Sequence, residues 1–154
     1  DAARDGADWR EAARQVLAAD PRVDAGRIGA LGYCLGGAGV MEAVRTELPL
    51  RPGVAFHPGI DTVGTDWTGA ARARLLLCVG AADPMGRAAD IAPLTAAMDA
   101  AGTPWELTFY SGAKHAFTEP DQPGRPPFAG HDPWADRRSW AAMTGFFHTT
   151  LAEE

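Results

Sequence analysis

Gly32-Tyr33-Cys34-Leu35-Gly36-Gly37 is the stretch that decides the fold of this 154-residue chain. It follows the apolar run Ile28-Gly29-Ala30-Leu31 and opens a helix-like stretch reaching from Ala38 to Arg45. Strand, glycine-flanked cysteine, helix is the pattern of a nucleophile elbow, with Cys where Ser is more usual. The glycines let the strand and the helix approach without Cβ atoms in the way. Such a turn pushes the Cys34 sulfur out at the top of a sheet. It also aims the N–H of Leu35 at any oxygen the sulfur creates. The same glycines also suit an ordinary strand-to-helix turn around a buried, inert cysteine. The rest of the chain has to separate the two readings.

Downstream lies Leu75-Leu76-Leu77-Cys78-Val79-Gly80, a buried-strand run that leads into Ala81-Ala82-Asp83-Pro84. Further on, Trp105 to Tyr110 reads as a strand and leads into Ser111-Gly112-Ala113-Lys114-His115-Ala116-Phe117. Nucleophile, acid and histidine follow one another in the order expected of α/β-hydrolases. Alone, Asp83 before Pro84 reads as a turn initiator, and His115 as an exposed loop residue. Their common place at the C-terminal ends of strands, where parallel sheets bind ligands, favours a shared site. His57 also ends a strand, at His57-Pro58-Gly59, and is a candidate for the mouth of that site. His131 and His148 read as loop and helix-surface residues. No His, Cys or acid spacing matches a zinc site and no glycine cluster matches a phosphate loop, so neither metal nor cofactor is expected.

The chain resembles the dienelactone hydrolase family. The resemblance is carried by GYCLGG around Cys34, VGAADP around Asp83, GAKHAF around His115 and the terminal helix with Gly145-Phe146-Phe147. It runs from about residue 10 to the end, and covers the later part of the family's full domain. It implies an α/β-hydrolase fold, a mostly parallel sheet flanked by helices on both faces, with the N-terminal strands absent from residues 1–154. It implies a hydrolase that cleaves a small carboxylic ester, lactone or thioester through Cys34, His115 and Asp83 by way of an acyl-thioester. Leu35 supplies one oxyanion donor. The second is expected from an earlier loop, so the chain alone is expected to be a weak catalyst. Tyr33, His57, Phe117 and Glu119 are candidates for substrate binding. The family places an Arg four residues beyond the histidine to grip a substrate carboxylate, and here that residue is Glu119. The residue after the histidine is Ala116 rather than Ser. An acid at 119 would repel a carboxylate, so a neutral substrate is expected.

Net charge is −6, and the 14 Lys and Arg are scattered, with no basic stripe for nucleic acid. Hydrophobic residues make up 46% of the chain but form no run of the ~20 needed to span a membrane. Cys34 and Cys78 should lie on strands separated by another, too far apart to bridge. Two free thiols favour a reducing compartment, hence the cytoplasm.

Periodicity supplies the remaining elements. Trp9, Ala12, Ala13, Val16 and Leu17 mark an amphipathic helix, capped by Asp8 and ended by Asp20-Pro21. Ile28 to Gly32 reads as a first strand buried on both faces. Gly36, Gly37 and Gly39 read as close-packing positions against the sheet. Val54 to Phe56 is a second strand, and residues 60 to 72 a loop. Leu75 to Val79 is a third strand. Ile91, Leu94, Met98 and Ala101 mark a helix stopped by Gly102. Trp105 to Tyr110 alternates as an edge strand would. Residues 118 to 133 hold five prolines and form a loop. The last helix, roughly Pro133 to Leu151, is expected to bury Trp140, Met143, Phe147 and Leu151. Without earlier strands, the strand before Cys34 leaves its backbone edge unpaired. That edge invites a homodimer, a complementing N-terminal fragment, or an alternative role as a non-catalytic binding or assembly module.

Overall fold

Short β-branched and leucine-rich runs alternate with alanine-rich helical periods, and the strands they form are all parallel. The computed structural model describes residues 9–67 and 73–152. In chain order these form α1 (Trp9–Ala18), β1 (Ala30–Tyr33), α2 (Leu35–Arg45), β2 (Pro52–Phe56), a 3₁₀ turn (Ile60–Thr62), β3 (Arg74–Gly80), α3 (Ala88–Ala101), β4 (Trp105–Tyr110) and α4 (Pro133–Ala152). The sheet order is β1-β2-β3-β4. Tyr33 is level with Phe56, Phe56 with Cys78, and Cys78 with Thr108. Parallel strands in one register bring their C-terminal ends to one rim of the sheet. The segments carrying Cys34, His57, Asp83 and His115 all leave from that rim.

The two-residue period of β3 divides the core. Leu75, Leu77 and Val79 face α2 and α3, packing with Met41, Val44, Ile91 and Met98. Leu76 and Cys78 face α4 with Val54 and Phe56, against Phe117, Met143 and Phe146. Helices therefore cover both faces, as expected of βα units. Leu75, Leu77, Met41 and Met98 lose essentially all their solvent contact. Each such side chain contributes about 1.5–3 kcal/mol of burial free energy. Gly102 ends α3 in the left-handed conformation, φ 71°.

Four expectations are corrected. β1 is an edge strand and is not buried on both faces: Leu31 is 42% and Tyr33 36% exposed. The apolar stripe of α1 is not buried: Trp9, Ala13 and Leu17 only line an open cavity beside β1 and α2, and Trp9, Val16 and Leu17 stay exposed. Only Gly37 of the three helix glycines packs tightly on the sheet. A Cβ there would lie 3.1 Å from the Phe56 carbonyl oxygen, whereas one at Gly36 meets nothing and one at Gly39 meets only the Trp9 ring. In α4 the inward stripe is Ala135, Ser139, Met143, Phe146 and Thr150, which turns Trp140 to solvent. The loop expected over 60–72 includes the 3₁₀ turn, and its part over 68–72 lies outside the described residues, as does the Asp8 cap.

Candidate active site

The backbone at Cys34 holds φ 53° and ψ −116°, a region that L-residues with side chains rarely occupy. Two contacts fix it there. Its N–H donates to the Phe56 carbonyl at 3.0 Å, tying it to β2, and its carbonyl accepts from Ala38 N–H at 3.1 Å, starting α2. The sharpness of the turn explains Gly32. A Cβ at that position would stand 2.1 Å from the Gly36 carbonyl oxygen, so no side chain fits. The sulfur is left half-buried at the sheet rim, at the N-terminus of α2. As the first residue of α2, Leu35 carries an N–H with no intrahelical acceptor, which leaves it free for an oxygen ligand. The Leu35 side chain itself points to solvent.

His115 reaches the same point from beyond β4. Its Nε2 lies 3.1 Å from Cys34 Sγ, and its Nδ1 lies 2.8 Å from Asp83 Oδ2. Asp83 and His115 are both buried. The other Asp83 oxygen, Oδ1, accepts from the Met85 N–H at 2.8 Å. Asp83 therefore both initiates a turn before Pro84 and holds the imidazole, with one oxygen for each. The proline-rich loop clasps the histidine backbone. His115 N–H donates to the Phe128 carbonyl, and its own carbonyl accepts from Gly130 N–H, both at 3.0 Å.

Charge in the site follows from these contacts. The Asp83 hydrogen bond, followed by that to Cys34, pushes the His115 imidazole up to about 9, outweighing the opposing effect of burial. His115 thus carries a proton at neutral pH. At 3.1 Å the imidazole Nε2 is within proton-transfer reach of the sulfur.

A cavity of about 480 Å³ opens over Cys34 and His115. Its further walls include Met85, Glu119, Gln122, Arg125 and Phe128. Of the four substrate-binding candidates, only Glu119 lies on this wall. His57 and Phe117 are fully buried behind the imidazole, and Tyr33, at the end of the edge strand β1, stacks on Phe56 of β2 with ring centroids 4.6 Å apart. The reason is that Phe117 and Thr118, on the turn that carries His115, lie directly against the His57 ring. The Glu119 carboxylate is met by Arg125 at 3.4 Å, so its charge is partly offset. Arg125 also donates to the carbonyls of Glu119 at 3.1 Å and Pro120 at 2.8 Å, clamping the wall. Met85, Gln122, Arg125 and Phe128 escaped the sequence reading. The one available signal was the proline density of 118–133, since a stiff segment next to a reactive histidine is a candidate wall. Among the described residues, no group of three or more His, Cys, Asp or Glu is gathered to hold a metal, and no helix is long and apolar enough to cross a membrane.

Comparison with known proteins gives a consistent set. The profile of the Dienelactone hydrolase family matches residues 2–151. An uncharacterized protein of Caenorhabditis elegans is 27% identical over 145 residues, 92% of each chain. A Bradyrhizobium sp protein named a probable 2-oxo-3-(5-oxofuran-2-ylidene)propanoate lactonase is 30% identical over 133 residues, covering 80% of this chain and 53% of its own. The crystal structure of a dienelactone hydrolase-like promiscuous phosphotriesterase from metagenomic libraries superposes with a TM-score of 0.82 at 30% identity. That match covers 91% of this chain and 59% of the other. The chain thus spans a little over half of the lactonase and of the phosphotriesterase.

Proposed function

The chain belongs to the dienelactone hydrolase family and has its α/β-hydrolase fold, and from that premise we propose that it hydrolyses a small carboxylic ester, lactone or thioester with Cys34 as nucleophile, His115 as base and acid, and Asp83 as orienting carboxylate. The observation that carries the proposal is the unbroken relay from Sγ through the imidazole to Oδ2, at 3.1 and 2.8 Å, rooted in a strained elbow.

In this reading the proton of the Sγ–Nε2 contact sits on the His115 imidazole as the sulfur attacks the carbonyl carbon. The oxygen that gains the electron pair is met by the Leu35 N–H. His115 Nε2 returns its proton to the leaving alkoxide or thiolate as the tetrahedral adduct collapses to an acyl-thioester. Acylation removes the hydrogen bond between the imidazole and Cys34, one of the influences that raise His115, so the imidazole gives up a proton more readily and can activate water for hydrolysis. Asp83 holds the ring's other nitrogen throughout. The Glu119–Arg125 pair leaves the wall with offset charges, which suits an uncharged acyl group. Two free cysteines suit a reducing compartment such as the cytoplasm.

Turnover of p-nitrophenyl acetate tests the proposal. Cys34→Ala should abolish it and His115→Ala should reduce it by roughly 10²–10⁴-fold. Undiminished turnover in a folded Cys34→Ala variant sinks the reading. A second reading, a binding or assembly module that pairs through its sheet edge, draws on the exposure of Leu31 and Tyr33 along β1. It predicts a stable complex by size-exclusion chromatography together with a Cys34 no more reactive than an ordinary thiol.

A further inference from the structure

β2 contributes no member of the hydrogen-bonded relay, yet its C-terminal neighbour His57 lies directly against it. His57 is wholly buried, and its backbone holds φ 36°, an unusual conformation for a residue with a side chain. Its ring meets the His115 ring edge-on, with centroids 5.2 Å apart, and meets Phe117 in the same way at 5.2 Å. Its Nε2 is 2.9 Å from Thr118 Oγ1, on the turn that carries His115. Its Nδ1 is buried without a hydrogen-bond partner. An apolar ring of the same size would avoid that unpaired nitrogen, so space-filling alone does not account for an imidazole here.

We propose that His57 is a positioning residue for His115: its ring supports the catalytic ring edge-on and, through Thr118, fixes the turn that sets its reach to Cys34. The inference rests on the hydrolase reading above. The charged groups around His57 are His115, Asp83 and Arg125. Burial, and then the charge on His115, push His57 down to about 4, so it stays neutral while His115 carries its proton. A second cation at this spot would oppose the imidazolium; a neutral ring does not. The span to be controlled is long, because His115 must reach from beyond β4 across β3 and β2 to a sulfur at the end of β1. A displacement of about 1 Å in such a reach costs up to ~10²-fold in rate.

The test uses the full chain and two variants, His57→Phe, which keeps a ring, and Thr118→Val, which leaves His57 in place and removes its partner. The readouts are the pH profile of iodoacetamide alkylation at Cys34 and the separate kcat and KM for p-nitrophenyl acetate. Both variants should lower kcat by roughly 10–100-fold with KM little changed, and both should flatten the neutral-pH alkylation that a neighbouring imidazolium sustains. Unchanged alkylation profiles and kcat in Thr118→Val overturn the proposal even where His57→Phe fails to fold. If the unsubstituted chain already alkylates like a free cysteine, the Cys34 reading fails instead, so the two failures are distinct.

Discussion

At the scale of single residues, the imidazole of His115 is the group whose charge everything else adjusts. Its value is raised from 6.5 to about 9 because the folded chain supplies Asp83 and Cys34, which the unfolded chain does not. A group raised on folding stabilises the folded state fully below its unfolded value, here about pH 6.5, and loses that contribution as pH climbs through about 9. Melting temperature should therefore fall between about pH 6.5 and about pH 9 in the parent chain, and fall less in Asp83→Asn, which lacks the carboxylate. An equal fall in both would mean that the Asp83 contact holds no charge. Asp83→Asn should also lower kcat by roughly 10²–10⁴-fold, because the imidazole loses both its orientation and its proton affinity. Cys34, Asp83 and His115 were legible in the sequence because each follows a strand, and parallel strands deliver their followers to one rim. His57 was half legible. Its place at the end of β2 could be read, but its burial depends on Phe117 and Thr118 lying against it, which no local pattern encodes.

At the scale of elements, the β1-to-α2 elbow and the loop from 118 to 132 divide the work of building the site. The elbow is set by Gly32. A methyl group there would stand 2.1 Å from the Gly36 carbonyl oxygen, against rigid backbone on both sides. Gly32→Ala should destabilise the fold by ~3 kcal/mol or more, read as a lowered urea midpoint. A shift below about 0.5 kcal/mol would show the elbow to be looser than drawn. The loop is set by Arg125, which donates to the carbonyls of Ala116, Glu119 and Pro120 and to the Glu119 carboxylate. Arg125→Ala should loosen the cavity wall and raise KM several-fold with a smaller effect on kcat. A fall in kcat at constant KM would instead place Arg125 in the chemistry. Elements with strong periods, β3, β4 and α3, matched their sequence signals closely. Trp140 was misread because α4 is apolar on more than one side. Its inward phase is fixed by Met143 and Phe146 meeting Leu76 and Phe117 across the chain, which is tertiary information.

At the scale of the whole molecule, four large apolar side chains are exposed on and beside the β1 edge of the sheet. Trp9, Val16 and Leu17 of α1 and Leu31 of β1 are all exposed, and β1 is an open parallel edge. Such edges pair with whatever strand is offered. If two copies pair through this edge, size-exclusion chromatography should show a dimer that Leu31→Lys weakens while leaving Cys34 alkylation unchanged. Association unaffected by that change would exonerate the edge. The fold class was readable from strand–helix alternation, and the two-faced core followed from it. The exposure of α1 was not readable, since its apolar stripe has the same period whether or not a partner covers it. The proposed acylation begins with sulfur attack and an oxyanion met by the Leu35 N–H. The central claim is therefore tested best at the first chemical step. Mixing the chain with p-nitrophenyl acetate, quenching in acid and mapping peptides by mass should find one acetyl group, on Cys34, formed in step with a burst of nitrophenolate. Nitrophenolate released by the folded chain with Cys34 left unmodified would contradict the account.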